Sequence, residues 1–171
     1  INKRGGQYDF FRARIVFPIF DVQGSPVGFG GRKLPDGEGP KYKNTSDAAE
    51  YYSKSDVLYG LHWAKAEAGR LDELVVCEGY TDVIGCHLAG IERAVATCGT
   101  ALTPSHARLI GRFARRVVLA FDADGAGQAA AERVYAWEEE FGLQFAVAAL
   151  PEGSDPGDLA GSDPEALRRA I

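Results

Sequence analysis

The chain has 171 residues, an apolar content of 46% and a net charge of −5. This length and composition predict one domain, or one and a half, with a sizeable hydrophobic core. The sequence shows neither an apolar run long enough to span a membrane nor a charged-then-apolar leader, so we expect a cytoplasmic protein without membrane contact. Because methionine is absent even at position 1, we also expect a fragment or a processed form.

The charges are unevenly distributed along the chain. Residues 1–43 carry eight basic and four acidic residues, whereas the remainder carries 11 basic and 20 acidic residues. A basic segment before an acidic one fits a polyanion-contacting surface beside a metal centre, although an uneven solvated surface explains it at least equally well. The three cysteines lack CxxC spacing and the three histidines are scattered, so we expect buried thiols and no histidine-centred metal site.

The first third of the chain predicts a β-hairpin over residues 13–34, with a turn at residues 23–26. The return strand contains three glycines, which predicts that another group approaches its backbone closely. After a loop over residues 35–40, Ser46 is a candidate helix N-cap. We place a domain boundary near residues 54–60.

From residue 71 onward, strand and helix patterns alternate. Alternation with short links predicts a parallel sheet covered by helices on both faces. Thr103-Pro104 is a conventional helix start, and Gly142 ends the third helix as a C-terminal glycine would. Residues 152–158 are predicted as a loop, followed by a short helix capped by Ser162 or Asp163. The predicted strands are 72–77, 93–97, 116–121 and 144–150, and the predicted helices lie near 80–89, 104–114 and 126–141.

Two of these strands end in a carboxylate and lead into a glycine-containing turn. Glu78 follows the first strand, and Asp122-Ala123-Asp124-Gly125 follows the third. Ligands bind beyond the carboxyl ends of parallel strands, so these acids should share one crevice, where a divalent cation would relieve their repulsion. Mg²⁺ fits because it takes oxygen ligands and needs only one or two carboxylates besides phosphate oxygens.

Three further acids, Asp82, Asp155 and Asp158, also lie after strands. Asp82 is about equally well explained as a first-turn acid that complements the helix dipole. Asp124 could be only a helix cap, and Asp155-Pro156 only a turn. A pair of aspartates separated by one residue is a weak signal, whereas a glutamate after one strand and two aspartates after another is much stronger.

These residues resemble a known family. Glu78-Gly79-Tyr80-Thr81-Asp82-Val83 and Phe121-Asp122-Ala123-Asp124-Gly125-Ala126-Gly127 resemble the two Toprim motifs, which primases, topoisomerases, OLD-type nucleases and RecR-type proteins share. Three upstream segments resemble the catalytic core of DnaG-type bacterial primases: Arg14 to Ile19, Gly28 to Arg32, and Pro40 to Asn44. The sequence departs from that family at Ala123, where glycine is frequent, and at Asp155-Pro156-Gly157-Asp158, where the third motif is commonly DPD.

The resemblance implies an α/β Toprim fold, with a central, mostly parallel sheet flanked by helices, preceded by part of a mixed α/β subdomain with a β-hairpin. It implies that residues 1–57 end the basic N-terminal core subdomain and that residues 58–171 form the Toprim subdomain. The implied activity is synthesis of short RNA primers by divalent-metal-dependent nucleotidyl transfer. A Toprim nuclease or a non-catalytic nucleic-acid-binding module remains an alternative.

The resemblance also implies site residues and partners. Glu78, Asp122 and Asp124 would be catalytic and bind Mg²⁺ or Mn²⁺, with Asp82, Asp155 and Asp158 as supporting metal ligands. Five residues of the basic segment would contact nucleotide or nucleic-acid phosphates: Arg14, Arg32, Lys41, Lys43 and Asn44. The partners would be a single-stranded DNA template, an RNA primer, ribonucleoside triphosphates and, through a domain absent here, a replicative helicase at the replication fork. Zinc is expected only in the absent N-terminal domain, and the fragment is expected to be monomeric.

Overall fold

A computed structural model describes residues 9–47, 49–121 and 134–171 of the chain. In this part of the chain, an antiparallel sheet precedes a parallel sheet flanked by helices. The predicted fold class is therefore confirmed. No helix among the described residues is long and apolar enough to cross a membrane.

The antiparallel sheet is formed by the predicted hairpin and one additional strand. Strands β1 (Arg14–Phe20) and β2 (Pro26–Lys33) pair as predicted, and the Asp21 carboxylate accepts a hydrogen bond from the Ser25 N–H across the turn (2.8 Å). A third strand, β3 (Tyr42–Asn44), which the sequence did not predict, pairs with β2. The helix predicted after Ser46 is absent, because residue 47 and residues 49–51 form turns and a bend.

The parallel sheet contains the four predicted strands in the order β5-β4-β6-β7. Short apolar runs rich in β-branched residues form these strands because both faces of the sheet are covered. The runs are β4 (Glu73–Cys77), β5 (Ala94–Ala96), β6 (Arg116–Ala120) and β7 (Gln144–Val147).

Six helices occur in the described part of the chain: α1 (Leu61–Leu71), α2 (Tyr80–Leu88), α3 (Pro104–Ile110), α4 (Trp137–Phe141), α5 (Pro156–Ser162) and α6 (Pro164–Ala170). Thr103 caps α3 and Gly142 ends α4 with a φ of 65°, as predicted. The predicted loop over residues 152–158 is confirmed for residues 152–155 and wrong for residues 156–158, because α5 begins at Pro156. Half of the helix predicted over residues 126–141, namely residues 126–133, lies outside the described residues.

Successive residues of the central strands face two different clusters of the core. Val75 and Cys77 of β4 pack with α2, α5, α6 and the antiparallel sheet, whereas Leu74 and Val76 pack with α1, α3 and α4. The antiparallel sheet therefore lies on the α2 side of the parallel sheet. Tyr59 joins the edge strand β5 through two backbone hydrogen bonds with Ala96 (2.8 and 3.0 Å). This arrangement places the basic hairpin beside the carboxyl ends of the parallel strands.

Candidate functional site

A cavity of about 670 Å³ lies between the antiparallel sheet and the carboxyl ends of the parallel strands. Its walls differ in charge: one carries carboxylates and the other carries cations. The acidic side chains in its lining are Glu78, Asp82, Asp155 and Asp158, and the basic ones are Arg32 and Lys41. The crevice predicted beyond the carboxyl ends of the strands is therefore present, and seven of the predicted site residues line it: these six and Asn44.

The acidic wall begins where β4 ends. Glu78 follows the last residue of β4 and is exposed to solvent. Asp82 lies in the first turn of α2 and is only 6% exposed, and its Oδ2 accepts a hydrogen bond from the Gly79 N–H (2.9 Å). Asp82 thus has the helix-start role that its sequence position predicts, and the same carboxylate also lines the cavity. Capping fixes the direction in which this carboxylate points.

Helix α5 supplies the remaining acids. Asp155 caps α5, because its Oδ1 accepts a hydrogen bond from the Asp158 N–H (2.7 Å). An added Cβ at Gly157 would lie 3.1 Å from the Asp82 Oδ1 and 3.2 Å from the Asp155 Oδ1, so both carboxylates border the same small space. On α2, an added Cβ at Gly85 would lie 2.9 Å from the Gly157 Cα. The two glycines therefore allow α5 to approach α2 closely, and this contact brings Asp155 to Asp82.

The basic wall is formed by β2, β3 and the residue before β3. The Arg32 Nη1 donates hydrogen bonds to the Tyr42 hydroxyl and to the Thr81 Oγ1, each at 3.3 Å. The Lys41 Nζ lies 5.7 Å from the centroid of the Tyr42 ring, within the range of a cation–π contact. Because Thr81 belongs to α2, the Arg32 guanidinium is held in part by the acidic side of the site.

Two of the predicted phosphate ligands have other contacts. The Arg14 guanidinium donates hydrogen bonds to four backbone carbonyls, including those of Gly31 (3.0 Å) and Pro40 (2.8 Å). The Lys43 ammonium donates to the Phe10 carbonyl (2.9 Å) and lies 3.5 Å from the Phe10 ring centroid. Neither residue lines the cavity. Arg14 holds the loop before β3 against the hairpin, and its contact with phosphates stays a prediction.

The glycines of β2 leave room for the protein's own side chains. An added Cβ at Gly30 would lie 2.3 Å from the Tyr80 hydroxyl oxygen, and one at Gly28 would lie 2.9 Å from the Tyr52 ring. A Cβ at Gly31 would lie 2.6 Å from the Phe11 ring. The close approach that these glycines predict is correct, and aromatic rings of this chain make it.

The cysteines have the predicted buried and unpaired state. The Cys77 and Cys86 sulfurs lie 3.8 Å apart, and their hydrogen bond together with burial raises the pKa of the Cys77 thiol. Burial raises the pKa of the Cys98 thiol to about 11. Raised pKa values make these thiols poor nucleophiles and poor metal ligands at neutral pH.

The described residues fit a metal site only in part. Among them, no three histidine, cysteine or acidic side chains are close enough to hold a metal ion. Asp122 and Asp124, the principal predicted ligands, lie outside the described residues. Their chain leaves β6 after Ala120, which pairs with Cys77 of β4, so Glu78 and Phe121 follow neighbouring strands at one sheet edge. The donors at the cavity are carboxylate oxygens, which are the ligands that Mg²⁺ and Mn²⁺ prefer. The metal site stays a prediction.

The sequence did not predict that three polar residues would connect parts of this site through hydrogen bonds: Tyr42, Tyr80 and Thr81. Each lines the cavity, and each makes a hydrogen bond between the two walls or within the basic wall. Tyr80 and Thr81 lie between Glu78 and Asp82, so proximity to the motif was the one available signal. Their partners are 36 and 49 residues away along the chain, and no local pattern indicates such contacts.

Comparisons with known proteins agree with this geometry. Residues 75–160 match the Toprim-like family model, and residues 1–65 match the model of the N-terminal domain of the DNA primase catalytic core. A DNA primase of Streptomyces coelicolor is 46% identical over 162 residues, which cover 91% of this chain and 25% of the relative. The chain thus spans about a quarter of that relative's length.

Solved structures give the same result. The RNA polymerase domain of Mycobacterium tuberculosis primase DnaG superposes with a TM-score of 0.90 at 38% identity, covering 100% of this chain and 58% of that one. A DnaG primase catalytic domain bound to ssDNA has a TM-score of 0.86 at 35% identity, covering 99% of this chain and 57% of that one. Since the Toprim-like match spans half of the chain and the upstream match is specific to primases, the chain belongs to the DnaG-type primase family, as part of its catalytic core.

Proposed function

We propose that this chain contains the nucleotidyl-transfer site of a DNA primase, which synthesises short RNA primers on single-stranded DNA from ribonucleoside triphosphates. The observation that supports this proposal best is the cavity with a carboxylate wall opposite a cationic wall. A nucleoside triphosphate needs both, because cations bind its phosphate oxygens while carboxylates hold the divalent ions that accompany it. The binding of ssDNA by a structural relative supports a single-stranded template as partner.

The reaction assigns a separate task to each wall. A primer 3′-hydroxyl attacks the α-phosphate, the bond between the α-phosphorus and its bridging oxygen breaks, and pyrophosphate leaves. On the basic wall, Arg32 and Lys41 bind the phosphates that become pyrophosphate, and the hydroxyls of Thr81 and Tyr42 orient the Arg32 guanidinium.

On the acidic wall, Glu78 would hold Mg²⁺ or Mn²⁺ together with Asp122 and Asp124, with Asp82, Asp155 and Asp158 in support. When bound, such an ion neutralises phosphate charge and lowers the pKa of the attacking hydroxyl. Asp82 and Asp155 each use one carboxylate oxygen in a helix-capping hydrogen bond. These bonds restrict the rotation of both carboxylates, which keeps the acidic wall in place as substrate enters.

Primer synthesis on single-stranded DNA tests the proposal. Because the relatives are longer, the assay should use both the chain alone and a Streptomyces coelicolor primase whose matching 162 residues are replaced by this chain. Incorporation of labelled ribonucleotides into short products that depend on template and Mg²⁺ is the expected result. A Glu78→Gln variant of the same hybrid is the matched control.

A parallel reaction with a preformed labelled strand and no nucleotides distinguishes the alternatives. Cleavage of that strand without synthesis would identify a nuclease. DNA binding with neither synthesis nor cleavage, in a hybrid that folds, would identify a non-catalytic module. Either result would overturn the proposal.

A further inference from the structure

Tyr80 is inserted from the parallel unit into the antiparallel sheet. It is the first residue of α2 and only 2% exposed, and its ring tip fills the space that a side chain at Gly30 would need. The ring stacks on Phe17 of β1 at 4.9 Å with an interplanar angle of 10°, and it meets Tyr59 edge-on at 4.7 Å. The position of this ring is therefore fixed on three sides by packing.

The Tyr80 hydroxyl begins a short chain of hydrogen bonds. It donates to the Asn44 Oδ1 (3.0 Å), and the Asn44 Nδ2 donates to the Cys98 carbonyl (2.7 Å). Burial raises the pKa of Tyr80 well above its usual range, so the hydroxyl keeps the proton that it donates. The Asn44 amide therefore accepts a hydrogen bond at its oxygen and donates one at its nitrogen.

These bonds connect the two walls of the cavity. Asn44 belongs to β3, which carries Tyr42, the partner of Arg32 on the basic wall. Tyr80 lies between Glu78 and Asp82, and Cys98 follows the neighbouring strand β5 with a left-handed φ of 58°. One amide therefore ties the strand of the basic wall to the helix and the strand end of the acidic wall.

We propose that Asn44 and Tyr80 are positioning residues, which hold the two walls at the separation that a metal-bound triphosphate spans. This inference rests on the proposed function. It also changes the role of Asn44, which the resemblance to primases places among the residues that contact phosphates. Asn44 acts on the nucleotide through Tyr80 and Cys98, because its amide oxygen and its amide nitrogen each bond a protein group.

Three variants of the chain test this role: Tyr80→Phe, Asn44→Ala and the double variant. Tyr80→Phe keeps the ring packing and removes the hydroxyl, so we expect binding of ATP with Mn²⁺ to weaken roughly tenfold. Affinity for Mn²⁺ alone should change less than twofold, because its ligands all belong to the acidic wall. A role in folding alone would instead lower the melting temperature and leave the ATP-to-Mn²⁺ affinity ratio unchanged.

The double variant shows whether the two residues act as one unit. If they do, the double variant loses as much ATP affinity as the single variant with the larger loss. Independent contacts with phosphate would instead multiply the two losses. Tyr52→Phe is the matched control. Its hydroxyl is buried beside the same aromatic cluster and has no hydrogen-bond partner among the described residues, so its removal should leave ATP affinity unchanged.

Spin labels provide a measurement that does not depend on nucleotide binding. Ile15 on the antiparallel sheet and Leu71 at the end of α1 are both exposed, and the native cysteines are buried, so labelled cysteines at these two sites report the separation of the two units. The distance distribution should broaden in Tyr80→Phe and Asn44→Ala but not in Tyr52→Phe.

The possible outcomes separate the inference from the proposed function. Wild-type protein that binds Mn²⁺ but no ATP would count against the proposed function, and the spin-label distances would then decide the inference. Two results would overturn the inference. One is equal ATP affinity in Tyr80→Phe and Tyr52→Phe, and the other is a distance distribution identical to wild type in both Tyr80→Phe and Asn44→Ala.

Discussion

Replacing Gly157 with alanine adds one methyl group between two carboxylates of the acidic wall. The new Cβ would lie 3.1 Å from the Asp82 Oδ1, 3.2 Å from the Asp155 Oδ1 and 3.3 Å from the Thr81 carbonyl oxygen. All three neighbours are restrained: the two carboxylates accept helix-capping hydrogen bonds, and the third oxygen belongs to the backbone of α2. None of them can move aside without breaking a contact, so α5 must shift away from α2.

The expected loss of stability in Gly157→Ala follows from overpacking. Adding a methyl group to a tightly packed site typically lowers the free energy of unfolding by about 1 to 3 kcal/mol. Replacing glycine by alanine in a helix raises it by roughly 0.5 to 1 kcal/mol. We therefore expect Gly157→Ala to lower the free energy of unfolding by about 1 to 2 kcal/mol, which corresponds to a melting temperature roughly 2 to 8 °C lower. Because Asp82 and Asp155 are pushed apart, Mn²⁺ binding should weaken as well.

The assay combines thermal unfolding followed by circular dichroism with calorimetric titration of Mn²⁺. Gly161→Ala is the matched control, since Gly161 lies in the same helix and an added Cβ meets no described atom within 4 Å. Its free energy of unfolding should rise by about 0.5 kcal/mol, with Mn²⁺ affinity unchanged. If the two variants have the same stability and the same Mn²⁺ affinity, the reasoning about the contact between α2 and α5 is refuted.

Three further predictions concern the acidic wall and one buried histidine. In the primase hybrid, Glu78→Gln should reduce ribonucleotide incorporation at least about 100-fold with an unchanged melting temperature, and normal synthesis by the folded variant would reject the assignment. Asp122→Ala combined with Asp124→Ala should abolish Mn²⁺ binding in calorimetry, and unaltered binding would contradict the predicted metal site. Burial lowers the pKa of His106 below its ordinary value of 6.5, so the free energy of unfolding should be highest above pH 6.5 and fall as the pH drops toward the lower pKa, by at most about 1.4 kcal/mol per pH unit. Urea titrations between pH 5 and 8 should show this fall in the wild type and a shallower one in His106→Gln, and parallel curves would disprove the linkage.

The elements that the sequence predicts correctly share one property, namely a signal contained in a few adjacent residues. Residues 117–120 of β6 are all apolar because both faces of the strand are buried there, and Thr103-Pro104 shows the start of α3 because capping involves only neighbouring backbone groups. The turn of the hairpin is likewise local.

The elements that the sequence missed depend on distant partners. Strand β3 has three residues and exists because it pairs with β2. Asp155-Pro156-Gly157 fits a turn as well as a helix start, and packing of α5 on α2 through Gly85 decides between them. Helix α1, which was not predicted, buries Leu61, Ala64 and Ala68 in the core cluster that it shares with α3.

The same distinction applies to the site. Local sequence was sufficient to identify carboxylates that follow strands, cations of the basic segment and the family to which these motifs belong. The tertiary structure alone shows that Arg32, Lys41 and Asn44 reach the carboxylate cavity, whereas Arg14 and Lys43 use their donors elsewhere. Residue type sets which bonds a side chain can form, but distances across the fold decide which of those bonds it makes.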